Sequence, residues 1–229
     1  MKIITFIKSP LILLKNIFLF FLIYLPGAGG NWLRYQYYKR KFKSCGKNVI
    51  VDVGVIINGA EYITVGDNVY IDKYCIVHAG KTGKGKIKKR QKKAFKFEEG
   101  ELVIGSNTHI AQFCIIMAYG GVHIEDNCGL SAGTKIYSLT NTPNDSDDRS
   151  KVISIMPLGS PESPFLMSPV VLDKNVWIGL DCIVMPGVHI ERDSFVASQS
   201  LVMGSFDANS YIAGQPAKKI RERFLTTDA

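Results

Sequence analysis

Aliphatic residues recur at every sixth position over much of the chain. The runs are Val65, Ile71 and Val77; Ile104, Ile110 and Ile116; Ile124, Leu130 and Ile136; and Leu172, Ile178, Val184, Ile190, Val196 and Val202. A second small or apolar residue lies two positions before most of them, for example Cys75 before Val77. This period differs from both the helical period and strict alternation, so it predicts short strands separated by tight turns.

Three such strands close one triangular coil, and stacked coils place like side chains above one another. Gly, Asn and Asp follow many of the aliphatic residues, as in Val65-Gly66-Asp67-Asn68, and these residues suit the backbone of tight corners. The sequence therefore predicts an all-β fold, a parallel β-helix of hexapeptide repeats. A β-sandwich of short strands is the competing prediction.

The repeat is interrupted at one corner of the predicted coil. It breaks after Val77 and after Ile136, which gives excursions over residues 78–101 and 138–168, and it slips after Ile116. Neighbouring coils lie ~5 Å apart, so both excursions are expected to project from one edge. Function in repeat proteins gathers where insertions cluster, and this edge is the predicted functional site.

Four of the five cysteines fall on predicted core positions, namely Cys75, Cys114, Cys128 and Cys182. A buried thiol ladder is therefore expected rather than a catalytic cysteine. Each of three histidines, His109, His123 and His189, directly precedes a core aliphatic residue and is predicted to point outward. Their spacing does not suit the three-histidine zinc site of a γ-type carbonic anhydrase, and no metal is predicted.

An apolar stretch from Leu11 to Leu25 lies between Pro10 and Pro26. A helix of this length reaches only ~22 Å, short of a ~30 Å hydrocarbon core, so an interfacial or re-entrant membrane helix is predicted. A full span over residues 3–25, a cleaved signal peptide, and a helix packed on the protein itself or on another subunit remain as alternatives.

The formal net charge is +8, and the basic residues form two groups. One group is Arg34, Lys39, Arg40, Lys41 and Lys43, which we expect at the anionic cytoplasmic surface of a membrane. The other holds eight Lys or Arg and no acid between Lys81 and Lys93. An anionic partner such as lipid phosphate or a phosphorylated acceptor fits these groups, whereas nucleic acid is not predicted because no binding motif accompanies them.

The late repeats resemble the hexapeptide-repeat acyltransferases of the galactoside, maltose and xenobiotic O-acetyltransferase branch. The motifs are Asn175-Val176-Trp177-Ile178-Gly179, Val184-Met185-Pro186-Gly187-Val188, Val196-Ala197-Ser198 and Ile212-Ala213-Gly214-Gln215-Pro216-Ala217-Lys218-Lys219-Ile220. The resemblance implies a left-handed helix, a homotrimer, and acetyl-CoA in the cleft between subunits. It implies that the acetyl-CoA contacts are Trp177, Gly179, Ala197, Ser198, Lys218, Lys219 and Arg221.

The segment from Leu33 to Val49 is similar to membrane-associated members that act in polysaccharide biosynthesis. These members acetylate sugars, often on a lipid carrier, and a histidine in a Ser-x-x-His pattern acts as general base. This chain reads Ser138-Leu139-Thr140-Asn141, and Asn141 cannot take a proton. His78, at the start of the first excursion, is the candidate substitute base.

These observations predict an acetyl-CoA-dependent O-acetyltransferase that modifies a sugar hydroxyl of a glycan, lipid-linked or free, at the cytoplasmic face of the membrane. Residues 1–44 are assigned to membrane association, 45–214 to the β-helix and 215–229 to a tail with a short helix. An N-acetyltransferase acting on an amino sugar and a non-catalytic scaffold are the alternatives. Asn141 is the reason for considering a non-catalytic scaffold, because a chain that lacks the general base would not catalyse the expected reaction.

Overall fold

The computed structural model describes residues 10–82, 86–89, 98–141 and 164–225. Two helices come first, α1 (Pro10–Tyr24) and α2 (Gly27–Tyr38), and a 3-10 turn lies at Ala60–Tyr62. The strands are β1 (Ser44–Cys45), β2 (Ile50–Val51), β3 (Ile56–Asn58), β4 (Ile63–Val65), β5 (Tyr70–Ile71), β6 (Ile76–His78), β7 (Lys86–Lys89), β8 (Leu102–Ile104), β9 (His109–Ile110), β10 (Ile115–Met117), β11 (Val122–Ile124), β12 (Gly129–Leu130), β13 (Lys135–Tyr137), β14 (Leu139–Asn141), β15 (Pro164–Met167), β16 (Val170–Leu172), β17 (Trp177–Ile178), β18 (Ile183–Val184), β19 (His189–Ile190), β20 (Phe195–Val196), β21 (Leu201–Val202), β22 (Ser210–Gly214) and β23 (Ala217–Glu222).

Successive strands rotate through three sheets, which form the sides of the coil. Sheet A has the order β1-β4-β8-β11-β16-β19, sheet B the order β2-β5-β9-β12-β17-β20-β22-β23, and sheet C the order β21-β18-β13-β10-β6-β3. The pairings between coils are parallel, and Val77, Ile116, Ile136 and Val184 stack in register inside sheet C. The predicted mostly-β fold with parallel sheets is confirmed. Its interior is one continuous cluster of buried aliphatic side chains.

The corner between sheets A and B is built from a ladder of asparagines with positive φ. Asn68, Asn107 and Asn127 have φ angles of 56°, 56° and 59°. Each side-chain amide donates to the next along the stack, at 3.0 Å from Asn68 to Asn107 and 3.1 Å from Asn107 to Asn127. Asparagine tolerates this left-handed conformation, which explains its recurrence at one place in each repeat.

The predicted first helix is present as α1, and a second helix, α2, follows in the region where the sequence predicted a basic linker. Gly27, Gly29 and Gly30 lower its helix propensity, but Gly30 lies so close to the Leu25 carbonyl that a Cβ would collide with it. Among the described residues, we find no helix with both the length and the apolarity needed to cross a membrane.

Arg34 was expected at a membrane surface, and this prediction is wrong. Its side chain is completely buried between α1 and the first coil. The guanidinium donates to the carbonyl oxygens of Leu22 at 3.0 Å, Leu25 at 2.8 Å and Val51 at 2.7 Å. These carbonyls lie at the end of α1 and on β2, where they have few other donors, so Arg34 joins the helix to the coil.

The predicted C-terminal helix is also wrong. Ala217–Glu222 forms strand β23, which pairs antiparallel with β22. Strand β22 would otherwise leave an open sheet edge, and the hairpin supplies its missing hydrogen bonds. His189 is a further correction, because it is buried rather than outward-exposed and contacts Asp173 Oδ1 at 2.8 Å through Nε2. The segment around Phe206 pairs with β19 and covers this end of sheet A.

Candidate active site

The two excursions meet in a small sheet beside the coil. Strand β15 pairs antiparallel with β14 from the second excursion and parallel with β7 from the Lys-rich first excursion. Asn141 is opposite Phe165, and Phe165 is opposite Ile87. The structure therefore brings the two interrupted regions together at one edge, where the expected base position, Asn141, is exposed on the last residue of β14.

Ser138 lies at the start of this edge but is fully buried. Its hydroxyl donates to the Met117 carbonyl at 2.7 Å and accepts a hydrogen bond from the Gly120 N–H at 2.8 Å. Both contacts are to backbone of the preceding coil, at the point where the repeat slips. Ser138 therefore fixes the departure of the second excursion, and its hydroxyl is already engaged.

His78 ends strand β6 at the same edge and is partly exposed. Its Nε2 is 3.2 Å from Asn58 Nδ2, and its Nδ1 is 3.2 Å from the Tyr119 hydroxyl. An amide NH2 only donates, so Nε2 is the accepting nitrogen and Nδ1 carries the proton in the neutral ring. Nε2 is then the nitrogen that can take a proton once an acceptor displaces the Asn58 amide from its lone pair, and the two contacts hold the ring between neighbouring coils.

The predicted acetyl-CoA contacts fall into two groups. Gly179, Ala197 and Ser198 meet at the corner between sheets B and C, where a Cβ on Gly179 would lie 2.6 Å from the Ser198 nitrogen. The Ser198 hydroxyl accepts from the Leu180 N–H at 3.2 Å. Close stacking of coils explains the glycine. Gly179 is buried, and the N–H groups of Gly179 and Ala197 already donate to the carbonyl oxygens of Val196 and Ile212, each at 2.8 Å.

The second group lies on the outer face of sheet B and its edge hairpin. Trp177, Phe195 and Tyr211 form an aromatic column with ring centroids 5.2 Å and 5.1 Å apart. The Arg221 guanidinium stacks on Tyr211 at 4.2 Å, which extends the column onto β23. Lys218 and Lys219 also lie on β23, and Lys219 Nζ contacts Glu222 Oε1 at 2.6 Å.

A cavity of about 710 Å³ borders this column and contains residues that the sequence did not point to. Its walls include His109, Ser131, Trp177, Arg223 and Phe224. The indole N–H of Trp177 donates to the Ser131 hydroxyl at 2.9 Å across Gly129, which has no side chain to fill the space. Arg223 and Phe224 reach the cavity through the return of the C-terminal hairpin, and the hexapeptide pattern carries no signal of that return.

The cysteines behave as core residues, as predicted. Cys75, Cys114, Cys128 and Cys182 are all buried. Burial raises the pKa of the Cys128 thiol to about 12, and burial also raises the pKa of Cys182. Such thiols are poor nucleophiles, which disfavours cysteine catalysis. The described residues include no group of His, Cys, Asp or Glu that could hold a metal ion.

Comparison with known proteins agrees with the fold. The family described as the hexapeptide repeat of succinyl-transferase matches residues 102–138 and 169–198. The dTDP-4-amino-4,6-dideoxy-D-glucose acyltransferase of Escherichia coli is 29% identical over 182 residues, which cover 80% of this chain and 83% of that protein. A protein of Escherichia coli K12 named as a lipopolysaccharide biosynthesis O-acetyl transferase, WbbJ, is 39% identical over 71 residues, or 36% of its length.

A solved structure is similar over most of the chain. The D94A mutant of AntD, an N-acyltransferase from Bacillus cereus in complex with dTDP and coenzyme A, superposes with a TM-score of 0.65. It is 26% identical, and the match covers 82% of this chain and 88% of that one. The predicted resemblance to the hexapeptide-repeat acyltransferases is confirmed, and so is the predicted enzyme class: the protein is an acyltransferase.

Proposed function

We propose that this acyltransferase takes an acetyl group from acetyl-CoA and transfers it to a sugar bound at the edge formed by β7, β14 and β15. The Escherichia coli relative that matches over most of the chain is named as a dTDP-4-amino-4,6-dideoxy-D-glucose acyltransferase, and the similar structure of the N-acyltransferase AntD contains dTDP and coenzyme A. The lysines in the sequence of β7 suit the phosphates of such a nucleotide sugar.

The acceptor group that the site favours is an amine, and Asn141 is the observation that carries this choice. A sugar hydroxyl must lose its proton as it attacks, so it needs a strong general base. A neutral amine is already nucleophilic and loses its proton after the new bond has begun to form. A site with Asn141 in place of histidine therefore suits nitrogen better than oxygen.

The proposed reaction is a direct displacement. The amine nitrogen attacks the thioester carbonyl carbon, the carbon–sulfur bond breaks, and an amide and the CoA thiol are formed. His78 Nε2 accepts the proton that leaves the nitrogen, and this proton neutralises the departing thiolate. Asn58 and Tyr119 position the ring for this role through their contacts with its two nitrogens.

O-acetylation of a polysaccharide or its lipid-linked precursor is the second candidate function. The similarity of one part of the chain to WbbJ favours it, and His78 could then act as the general base for a hydroxyl. The two candidate functions therefore differ in the strength of the general base that the acceptor needs: a hydroxyl needs a stronger base than an amine does.

The acetyl-CoA cleft is proposed to lie along the late coils. The corner of Gly179, Ala197 and Ser198 offers backbone close to the surface, and the Trp177 column with Arg221 offers an aromatic and cationic border. Lys218 and Lys219 are proposed to face the CoA phosphates. We also propose a left-handed coil and a homotrimer with the cleft between subunits, which the resemblance to the acyltransferase family supports.

A paired acceptor assay tests the proposed chemistry. The full chain is incubated with acetyl-CoA and either dTDP-4-amino-4,6-dideoxyglucose or the matched dTDP sugar with a hydroxyl at that carbon. Thiol release and product mass are recorded together. We expect an acetylated product from the amine and at least tenfold slower reaction with the hydroxyl. Equal or faster reaction with the hydroxyl contradicts the amine proposal, and no acetyl-CoA turnover with any sugar contradicts the function.

A further inference from the structure

Helix α1 is largely exposed, and its residues are apolar apart from Lys15 and Asn16 near the middle and the Tyr24 hydroxyl at its end. Large apolar side chains point away from the protein in every direction. They are Leu11, Ile12, Leu13, Leu14, Ile17, Phe18, Phe20, Phe21 and Tyr24. A helix of this kind is not stable in water by itself, so it requires apolar surroundings on all sides.

The helix projects away from the coil rather than lying along it. Leu22 is buried, yet Phe18, one turn earlier on the same face, is 46% exposed. Leu11 lies on that face three turns earlier and is 75% exposed. The protein therefore covers one face of α1 near its C-terminal end, around Leu19, Leu22 and Ile23, and leaves the first half of the helix exposed.

The attached end is held firmly. Arg34 donates to the carbonyl oxygens of Leu22 and Leu25, and the Gly54 N–H of the first coil donates to the Ile23 carbonyl at 2.9 Å. Free carbonyl groups at a helix end need donors, and here the coil and α2 supply them. The projecting helix is thus fixed to the β-helix by several hydrogen bonds and is not a loose tail.

Aromatic and basic side chains surround the base of the helix. Tyr24 and Trp32 are exposed, and such amphipathic rings favour the boundary between lipid and water. Tyr37 contacts Phe18 of α1 with ring centroids 6.0 Å apart, and Lys41 Nζ lies 5.8 Å from the Tyr37 ring. Cations therefore lie beside the apolar helix, where anionic headgroups would meet them.

We propose that α1 is an anchor that inserts into an anionic lipid bilayer, with the aromatic residues of α2 and the basic residues that follow it at the headgroup level. A groove on a protein partner would cover one face of α1 and leave the opposite apolar face in water. Lipid surrounds the whole helix and also supplies the negative charge that complements Lys39, Arg40 and Lys41. The Arg34 contacts then hold the β-helix at a fixed position on the membrane.

Vesicle sedimentation with the full chain tests this anchor. The probes are vesicles of phosphatidylcholine with one quarter phosphatidylglycerol, and vesicles of phosphatidylcholine alone. We expect the protein to sediment with both and to bind the anionic vesicles more tightly at low salt, because the basic residues add an electrostatic contribution. Protein that stays in the supernatant with both vesicles overturns the proposal.

Two matched variants separate α1 from the rest of the surface. Phe20→Asp places a charge on α1, and we expect at least tenfold weaker binding to the anionic vesicles. Leu225→Asp changes an exposed apolar residue after β23 and should bind as the wild type does. Equal loss in both variants overturns the proposal. So does a Phe20→Asp chain that binds vesicles normally but loses self-association in sedimentation velocity, since α1 would then pair with a second copy.

Discussion

Arg34 holds the N-terminal helices on the first coil through its buried hydrogen bonds. Its charge is buried, and Asp52, the nearest acid in contact, is 3.9 Å away, so backbone carbonyl oxygens provide most of its hydrogen bonds. Burial lowers the pKa of the guanidinium, and the nearby Asp52 opposes that effect. A lysine ammonium could not reach the same set of acceptors from one position, and an apolar side chain has no hydrogen to donate.

Replacing Arg34 with Met keeps the side-chain bulk but leaves those carbonyls without their donor. We expect the free energy of unfolding to fall by about 1–3 kcal/mol, measured by urea denaturation. Arg40→Met is the control, because Arg40 lies just after α2, is exposed, and donates to the Gln36 carbonyl at 3.0 Å. A change in the control as large as that in Arg34→Met would contradict the role of the buried hydrogen bonds.

Tyr38 predicts a specific response to alkaline pH. Burial raises its pKa from 10.0 to about 12, so the folded state holds the phenol proton more tightly than the unfolded state. The resulting stabilisation is complete below pH 10 and is lost as the pH rises toward 12. Tyr38→Phe should therefore lose less stability between pH 10 and pH 12 than the wild type, in urea midpoints measured across that range. Identical curves would refute this assignment.

His78 carries the catalytic prediction. Replacing it with Gln keeps hydrogen bonding but removes the basic nitrogen, so kcat for acetyl transfer should fall by about 100-fold, while KM changes little. His123→Gln, on sheet A, serves as the control. Wild-type kcat in His78→Gln would show that the proton goes elsewhere.

At the scale of elements, the corner ladder explains why the short strands stay in register. The strands of sheets A, B and C that precede β22 have only two or three residues each, so their own pairing is weak, and the turn must fix the position of the next strand. The asparagines do this in two ways: they adopt positive φ, and they hydrogen-bond along the stack.

Substitutions at Asn107 separate these two contributions. Asn107→Gly keeps the backbone freedom and loses the hydrogen bonds to Asn68 and Asn127, whereas Asn107→Ala loses both. We expect Ala to destabilise the protein by about 1–2 kcal/mol more than Gly does, by chemical denaturation. If Gly proves the more damaging substitution, the backbone conformation is not what selects asparagine here.

At the scale of the whole molecule, the hexapeptide period predicted the sheets because each buried aliphatic residue repeats a local rule. Val77, Ile116 and Ile136 stack as their spacing indicated. The same rule indicated where the excursions leave the coil, but not that β7 and β15 would pair with each other. That pairing joins segments distant in sequence, and no local period encodes it.

The three predictions that the structure contradicts failed for similar physical reasons. Arg34 looked like a surface cation because the sequence groups it with the basic residues from Lys39 to Lys43, whereas its carbonyl acceptors come from α1 and β2. The last segment looked helical, but the open edge of β22 selected an extended strand. His189 followed the outward rule and was then covered by the chain around Phe206. In each case a contact with another segment of the chain overrode the local pattern.

A structure of the protein with CoA and a dTDP-linked amino sugar bound tests the proposed active site most directly. We predict that the sugar amine lies at the edge of β14 and β15, within about 3.2 Å of His78 Nε2 or one water away from it. The CoA sulfur should lie next to that amine, with its phosphates toward β23. An amino sugar bound away from His78, or CoA bound away from the late coils, would contradict the proposed active site.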